Sequence, residues 1–137
     1  MGTNIRPEIS EKSRYYISRH RYYELKHFCL QYQEWKDDAK AILRTLNHPQ
    51  ELSCVSHLQV SPVEDAAIKL YSFTARTEMI ENAAKQTDSF LANYILIGVT
   101  QGLTWNHLSA RYHIPCSKDM YYEFYRKFFW ILSKARN

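Results

Sequence analysis

The sequence predicts an all-α protein, a single domain of five or six helices that ends in a helix-turn-helix. Apolar residues recur every three or four positions through most of the chain, and only three glycines and four prolines interrupt its 137 residues. Residue types that begin and end helices separate the successive apolar runs. This length is enough for one domain with a buried core and small for two.

The chain is predicted to have three parts: a mobile basic arm over 1–14, helical support over 15–86 and the helix-turn-helix region over 87–137. The last two would form one compact unit. The arm lacks periodicity, and its basic residues suit contact with phosphates. Arginines and tyrosines alternate over 14–23, a mixture that could stack on bases and pair with phosphates. Amphipathic helices usually have this pattern too, so tyrosines in a core with solvated arginines are the favoured interpretation. Ser18 suits the cap of a first helix to about Gln33, with one face formed by Tyr22, Leu25, Cys29 and Tyr32.

A second helix is expected from the spacing of Trp35, Ile42 and Leu46, either continuous with the first or separated from it near residue 34. Asn47, His48 and Pro49 end it, and a loop to about residue 61 follows. Ser61-Pro62-Val63-Glu64 then reads as a capping box that opens a helix to about Gln86. That helix is apolar on two adjoining stripes, which predicts helices on both sides: Ile68, Tyr71, Ala75, Met79 and Ala83, then Leu70, Phe73, Ile80 and Ala84.

Three helices are predicted in the C-terminal region. A buried helix over 90–101 ends at Gly102, a residue type that tolerates the left-handed conformation past a helix end. Thr104 can cap a second helix that ends at Tyr112, and the segment 113–116 breaks it. Ser117 can cap the last helix, which has Asp119 in its first turn, where the helix dipole favours a carboxylate.

The last helix is predicted to bury one side along its whole length. Its other side is basic and polar near the start, whereas Phe129 and Trp130 near the end suit solvent poorly. Only its first two turns should therefore contact a partner, as in a recognition helix. A wholly structural helix with a few solvated charges is the alternative. The predicted core side comprises Met120, Tyr121, Phe124, Phe128, Ile131, Leu132 and Ala135.

Charge is distributed unevenly along the chain. Residues 1–44 have a net charge of +3, residues 45–103 of −3 and residues 104–137 of +4. A polyanion would prefer the two ends, although basic end helices packed against an acidic middle would give the same pattern. The sequence shows no membrane span and no signal peptide, and its three cysteines suit reduced thiols, so a cytoplasmic protein is expected.

Catalytic motifs are missing from the sequence, and we expect neither an enzyme nor a cofactor. It has no glycine-rich phosphate loop, no G-x-S-x-G and no H-E-x-x-H. Two cysteines and two histidines, Cys54, His57, His113 and Cys116, match the ligand set of a structural zinc site. Their spacing follows no familiar zinc finger, and cysteines and histidines are often simply packed or exposed, so no metal site is expected.

Three blocks of sequence carry a resemblance to a known family. They are YISRHRYYELKHFCLQY at 16–32, IPCSKDMYY at 114–122 and RKFFW at 126–130. These blocks resemble small proteins of prophages and mobile elements in Gram-positive bacteria, some of them similar to ArpU- and RinA-type transcriptional regulators with a C-terminal half like region 4 of sigma factors. The resemblance implies binding to double-stranded DNA with the last helix in the major groove. His113 stands where that pattern has glycine, and Pro115-Cys116 lengthens the turn.

The resulting hypothesis is a DNA-binding transcriptional regulator of phage or mobile-element origin. RNA polymerase and a second copy of the chain are further candidate partners, and no membrane is expected. The alternatives are a DNA-packaging adaptor of the small-terminase kind, and a protein-interaction module that uses Phe129 and Trp130. The residues expected at the DNA are Lys118, Tyr122 and Arg126, then Asp119, Glu123, Arg111 and Lys127.

Overall fold

The computed structural model describes residues 13–48 and 62–137, and within these ranges the protein is all-helical, without strands. The prediction of an all-α fold is therefore confirmed. Six helices follow one another along the described chain: α1 Arg19–Leu30, α2 Tyr32–Asn47, α3 Pro62–Thr87, α4 Ala92–Gln101, α5 Trp105–Tyr112 and α6 Lys118–Ala135.

The chain divides into two compact units. One comprises the residues up to Gln31 together with Met79–Asn137, and the other is Tyr32–Glu78. In the first unit α1, α4, α5 and α6 contact one another around a core rich in aromatic side chains. Its largest fully buried side chains are Leu25 and Cys29 of α1, Ile80 of α3, Ile95 of α4, Leu108 of α5, and Tyr121, Phe128, Phe129 and Leu132 of α6.

Three predicted N-caps are confirmed. The hydroxyl of Ser18 accepts the backbone N–H of Arg21, that of Thr104 accepts from His107, and that of Ser117 accepts from Met120. Each bond satisfies one of the backbone donors that a helix start leaves unpaired. Gly102 ends α4 in the left-handed conformation, at φ 68° and ψ 34°, which also agrees with the prediction.

The second unit contains α2 and the first two thirds of α3. Tyr32, Trp35 and Thr77 are its buried side chains within the described ranges. The guanidinium of Arg76 lies 5.3 Å from the ring centre of Trp35 and 5.9 Å from that of Phe73. Cation–π contacts of this kind hold an arginine over apolar surface while its charge stays near water.

Some predicted boundaries and faces are wrong. The first helix ends at Leu30, and the backbone N–H of Gln31 bonds to Phe28 and Cys29 before α2 begins at Tyr32. The predicted apolar stripes of α3 do not extend along the whole helix, because Ile68 is 66% exposed and Tyr71 is 77% exposed. Only the later part of those stripes is buried, at Ile80, Ala83 and Ala84.

The start of α4 is also later than predicted. The carboxylate of Asp88 accepts the backbone N–H of Leu91 at 2.8 Å, which closes a turn before the helix. Phe90 therefore lies in that turn, 76% exposed, and α4 begins at Ala92. The proposed capping serine at 61 and residues 1–12 of the predicted arm lie outside the described residues. At the edge of that gap α3 begins at Pro62, the predicted first helical position.

Candidate nucleic-acid interface

The connection between α5 and α6 has a defined backbone geometry. His113 ends α5 at φ 53° and ψ 47°, in the left-handed region where glycine is usual. Its N–H bonds to the carbonyls of Leu108 and Ser109, and the N–H of Ile114 returns to the carbonyl of Leu108 at 3.4 Å. The bond from the His113 N–H to the Ser109 carbonyl is the one that defines an αL C-cap, and Ile114 is buried behind it. The five residues from His113 to Ser117 then lead directly into α6.

Trp105 joins the beginning of α5 to both the connection and α6. Its indole N–H donates to the carbonyl of Cys116 at 3.0 Å, and its backbone N–H donates to the hydroxyl of Tyr122 at 3.3 Å. Since one residue contacts two successive segments, the relative position of α5 and α6 is fixed by hydrogen bonds as well as by packing. Tyr122 is half-buried at this junction and its hydroxyl is already engaged.

The first two turns of α6 present a mixed polar surface. Asp119 and Glu123 are exposed, and Lys118 is half-buried. Arg126 has a side chain that is 22% exposed and forms an ion pair with Glu123 at 3.2 Å. This pair lies on the surface, where such bridges contribute only about 0–1 kcal/mol, so a phosphate can compete for the arginine.

Met120 was predicted to face the core, and this is wrong. Its side chain is 51% exposed, whereas its neighbour Tyr121 is fully buried. Ala135 at the other end of the predicted face is exposed too. The buried side of α6 has therefore turned away from Met120 and towards Tyr125 and Phe129.

Helix α1 is the physical reason for that rotation. The ring of Tyr22 packs edge-on against Tyr125 and Phe129, with centroids 6.3 Å and 5.2 Å away. The hydroxyls of Tyr22 and Tyr125 are hydrogen-bonded at 2.6 Å. Burial is the main cause that raises the pKa of Tyr125, and the neighbouring Tyr22 raises it further, so this phenol stays neutral.

Phe129, expected to be available to a protein partner, is fully buried. Trp130 is half-buried, as its poor fit to solvent suggested. Arg21 of α1 fastens the same half of α6, because its guanidinium donates to the hydroxyl of Ser133 at 3.0 Å and to the carbonyl of Ser133 at 2.8 Å. The second half of α6 is thus held inside the unit, and the first half has the freer surface.

The hydroxyl of Tyr121 is buried and has no hydrogen-bond partner among the described residues. It points to Gly98 of α4, where a Cβ atom would lie less than 3.0 Å from the hydroxyl oxygen. Only the missing side chain lets the two helices approach this closely. Burial, followed by the charge of nearby phenols and of Cys116, raises the pKa of Tyr121, so this hydroxyl also stays neutral.

The candidate zinc ligands fall into two groups. Cys54 and His57 lie outside the described residues, while His113 is exposed and Cys116 is half-buried in the α5–α6 connection. Burial and the charge of Asp88 raise the pKa of the Cys116 thiol, which disfavours the thiolate that binds zinc. Within residues 13–48 and 62–137, no group of three or more metal-binding side chains comes together.

The remaining predicted contacts are at the edge of this surface. Arg111, in the last turn of α5, is exposed, and Lys127 is half-buried on α6. The structure brings Glu123 and Arg126 together and places Tyr122 at the α5–α6 junction.

No helix within the described residues is both long and apolar enough to cross a membrane.

Sequence reasoning missed one cluster on α6. The ammonium of Lys134 lies 3.4 Å from the ring centre of Trp130, the ring of Tyr15 meets Trp130 edge-on at 5.5 Å, and the guanidinium of Arg14 lies 4.9 Å from the ring centre of Tyr15. The spacing of Trp130 and Lys134, one helical turn apart, was a detectable signal. Their pairing with Arg14 and Tyr15, more than a hundred residues earlier, was not.

Comparison with known proteins finds no matching family model, no matching curated protein and no matching solved structure.

Proposed function

We propose that the protein binds double-stranded DNA through α5, the connection after it and the first half of α6, which together would act as a helix-turn-helix. The observation that carries this proposal is the contrast along α6. Its second half is fixed inside the unit at Phe128, Phe129 and Leu132, while its first two turns expose Asp119 and Glu123 and leave Lys118 half-exposed. A recognition helix has this division, because its N-terminal residues reach the groove and the rest packs on the domain.

The charge of the region supports the same proposal. Residues 104–137 contain six lysines and arginines against two carboxylates. One of those carboxylates, Glu123, already pairs with Arg126, and the other, Asp119, lies in the first turn of α6. Cations on such a surface would neutralise phosphates and release counterions, which supplies much of the affinity of DNA-binding proteins. Arg126 can also bind guanine through its planar guanidinium.

A regulatory role in transcription is the more specific part of the proposal, and no catalytic role is included. The regulatory role rests on the sequence resemblance to phage regulators and on α6, which can present different side chains to base edges. Selection of binding sites from a random duplex pool tests it, because a regulator should enrich a defined sequence. Enrichment of no sequence would leave a non-specific DNA-binding protein and contradict regulation at defined sites.

Fluorescence anisotropy with a labelled mixed-sequence duplex, measured from 50 to 200 mM salt, tests DNA binding directly. We expect affinity to fall steeply with salt, because each phosphate contact contributes about 0.9 to the slope of log K against log salt concentration. Lys118→Ala/Arg126→Ala should reduce that slope by about 2. A matched variant, Lys40→Ala/Lys85→Ala, removes the same charge outside α5 and α6 and should leave the slope nearly unchanged.

Two results would contradict the proposal. Absence of an anisotropy change for the wild-type protein at 50 mM salt would show that it does not bind duplex DNA. An equal reduction of the slope by both double variants would indicate a general effect of net charge. Circular dichroism of each variant confirms that the helices remain folded.

Protein interaction is a second candidate, favoured by the exposed apolar side chains of Phe90 and Met120. This candidate predicts no binding to duplex DNA at low salt, so the same anisotropy measurement separates it from the first proposal.

A further inference from the structure

We infer that Arg14 and Lys134 form a second phosphate contact for the same DNA duplex, beyond the first two turns of α6. This inference rests on the proposed DNA binding and extends its surface. The Arg14–Lys134 cluster consists of Arg14, Tyr15, Trp130 and Lys134.

The cluster lies on the same side of α6 as Arg126 and Lys127, two of the proposed contacts. At 100° per residue, Arg126, Lys127, Trp130 and Lys134 fall within about 100° of one another. Lys134 is exposed, as is Arg14. One basic stripe therefore extends from the middle of α6 to its end, and the aromatic cluster adds a cation from the segment before α1.

The spacing along this stripe suits a duplex. Lys127 and Lys134 are two helical turns apart, so their Cα atoms are separated by about 10.5 Å along the helix axis. The major groove of B-DNA is about 12 Å wide. With the first half of α6 in this groove, cations that continue along the same side of the helix can contact phosphates at its edge.

Aromatic rings hold both cations in place. The ammonium of Lys134 lies 3.4 Å from the ring centre of Trp130, and the guanidinium of Arg14 lies 4.9 Å from that of Tyr15. A ring that fixes a long side chain reduces the conformational entropy lost when that side chain binds a ligand. The charge remains available, because a cation–π contact does not neutralise it.

The neighbouring arginines are engaged differently. The carboxylate of Glu24 pairs with Arg21 and, at 3.7 Å, with Arg136. Arg21 is further bonded to Ser133, and Arg136 lies over the ring of Phe28. Among residues 13–48 and 62–137, no carboxylate forms an ion pair with Arg14 or Lys134. A phosphate would therefore meet these two cations without displacing a carboxylate.

A structural role is the alternative for Lys134, since cations near a helix C-terminus stabilise the helix dipole. That role predicts a lower melting temperature on substitution and no effect on DNA. A phosphate contact predicts a smaller salt dependence of binding. The two roles are thus separated by measuring both quantities on the same variants.

The experiment compares Arg14→Gln/Lys134→Gln with the wild type by anisotropy on the mixed-sequence duplex from 50 to 200 mM salt. Loss of two phosphate contacts should reduce the slope of log K against log salt by about 2. Over this fourfold increase in salt, the factor by which the affinity of the wild type falls should therefore be about 12 times the factor for the variant. Arg14→Lys/Lys134→Arg, which keeps both charges, should retain the wild-type slope, as should the control Lys40→Gln/Lys85→Gln.

An unchanged slope in the folded Arg14→Gln/Lys134→Gln protein overturns the inference. If that variant does not fold by circular dichroism, the two single variants are measured, and each should reduce the slope by about 1. When Lys118→Ala/Arg126→Ala weakens binding and Arg14→Gln/Lys134→Gln does not, the proposed function stands and only the second contact fails. Absence of binding by the wild type overturns both.

Discussion

Replacing Gly98 by alanine is expected to destabilise the protein, although this change inside a helix ordinarily stabilises it by about 1 kcal/mol. Gly98 lies within α4 and faces the ring of Tyr121. An added methyl group would lie less than 3.0 Å from the Tyr121 hydroxyl oxygen, 3.1 Å from a methyl carbon of Leu108 and 3.4 Å from the ring carbon that bears the hydroxyl. Because the ring is rigid and fully buried, it cannot move aside without displacing the core.

The magnitude follows from two opposing terms. Overpacking a well-packed core costs about 1–3 kcal/mol, and the helix propensity of alanine returns about 1 kcal/mol. Gly98→Ala should therefore reduce the free energy of unfolding by up to about 2 kcal/mol. Tyr121→Phe should have the opposite sign, because it removes a buried hydroxyl that has no partner among the described residues. Leaving such a group unsatisfied costs about 1–3 kcal/mol.

The two changes should be strongly coupled. In the Tyr121→Phe background the closest contact of the new methyl group disappears, and its distance to the ring carbon, 3.4 Å, is ordinary van der Waals contact. The remaining close neighbour is the end of the flexible Leu108 side chain at 3.1 Å, which has to shift only slightly. Gly98→Ala should then be neutral or stabilising by up to about 1 kcal/mol. Urea unfolding followed by circular dichroism at 222 nm, on the wild type, both single variants and the double variant, gives the coupling energy. Equal destabilisation by Gly98→Ala in both backgrounds would refute the close approach of α4 to the Tyr121 hydroxyl.

Two further predictions concern alkaline pH and the α5–α6 connection. Burial raises the pKa of Cys29, Tyr121 and Tyr125, so the folded state keeps protons that the unfolded state releases, and stability should fall as pH rises above 9.0. Each group should lower the free energy of unfolding by about 1.4 kcal/mol per pH unit above its unfolded pKa. Urea unfolding at pH 7–11 should therefore show a steeper loss of stability above pH 10, and constant stability would contradict the burial of these groups. His113→Gly should raise the free energy of unfolding by about 1 kcal/mol, because glycine adopts the left-handed conformation without a Cβ penalty; a lower stability would show that the histidine side chain itself stabilises the connection.

Helix ends were predictable because they depend on local chemistry. Ser18, Thr104 and Ser117 each precede a segment whose apolar residues recur at helical spacing, and each hydroxyl bonds to a backbone N–H three residues later. Gly102 follows the last apolar residue of α4 and adopts a conformation that other residues reach only with strain. None of these features requires knowledge of which helix packs against which.

The buried face of α6 was harder to predict because it depends on α1. At 100° per residue around the helix, the centre of the observed buried face lies roughly 60° from the centre of the predicted one. Tyr22 of α1 contacts Tyr125 and Phe129 and draws that side of α6 into the core, which leaves Met120 outside. A helix as rich in apolar residues as α6 offers several faces of similar hydrophobicity, and only its neighbours select one. The same dependence on distant partners concealed the contact of Trp130 with Tyr15.

This rotation also changes which side chains the proposed DNA surface would use. The outward side of α6 is centred near Glu123 and Lys127, whereas Tyr122 lies on the flank next to α5 and bonds to Trp105. Tyr122 therefore belongs to the junction that fixes α5 against α6, and its substitution should disturb the helix arrangement before any contact with DNA. Arg126 and Lys127 face outward together with Lys134. Because α1 sets the rotation, packing within the unit determines which cations the duplex would meet.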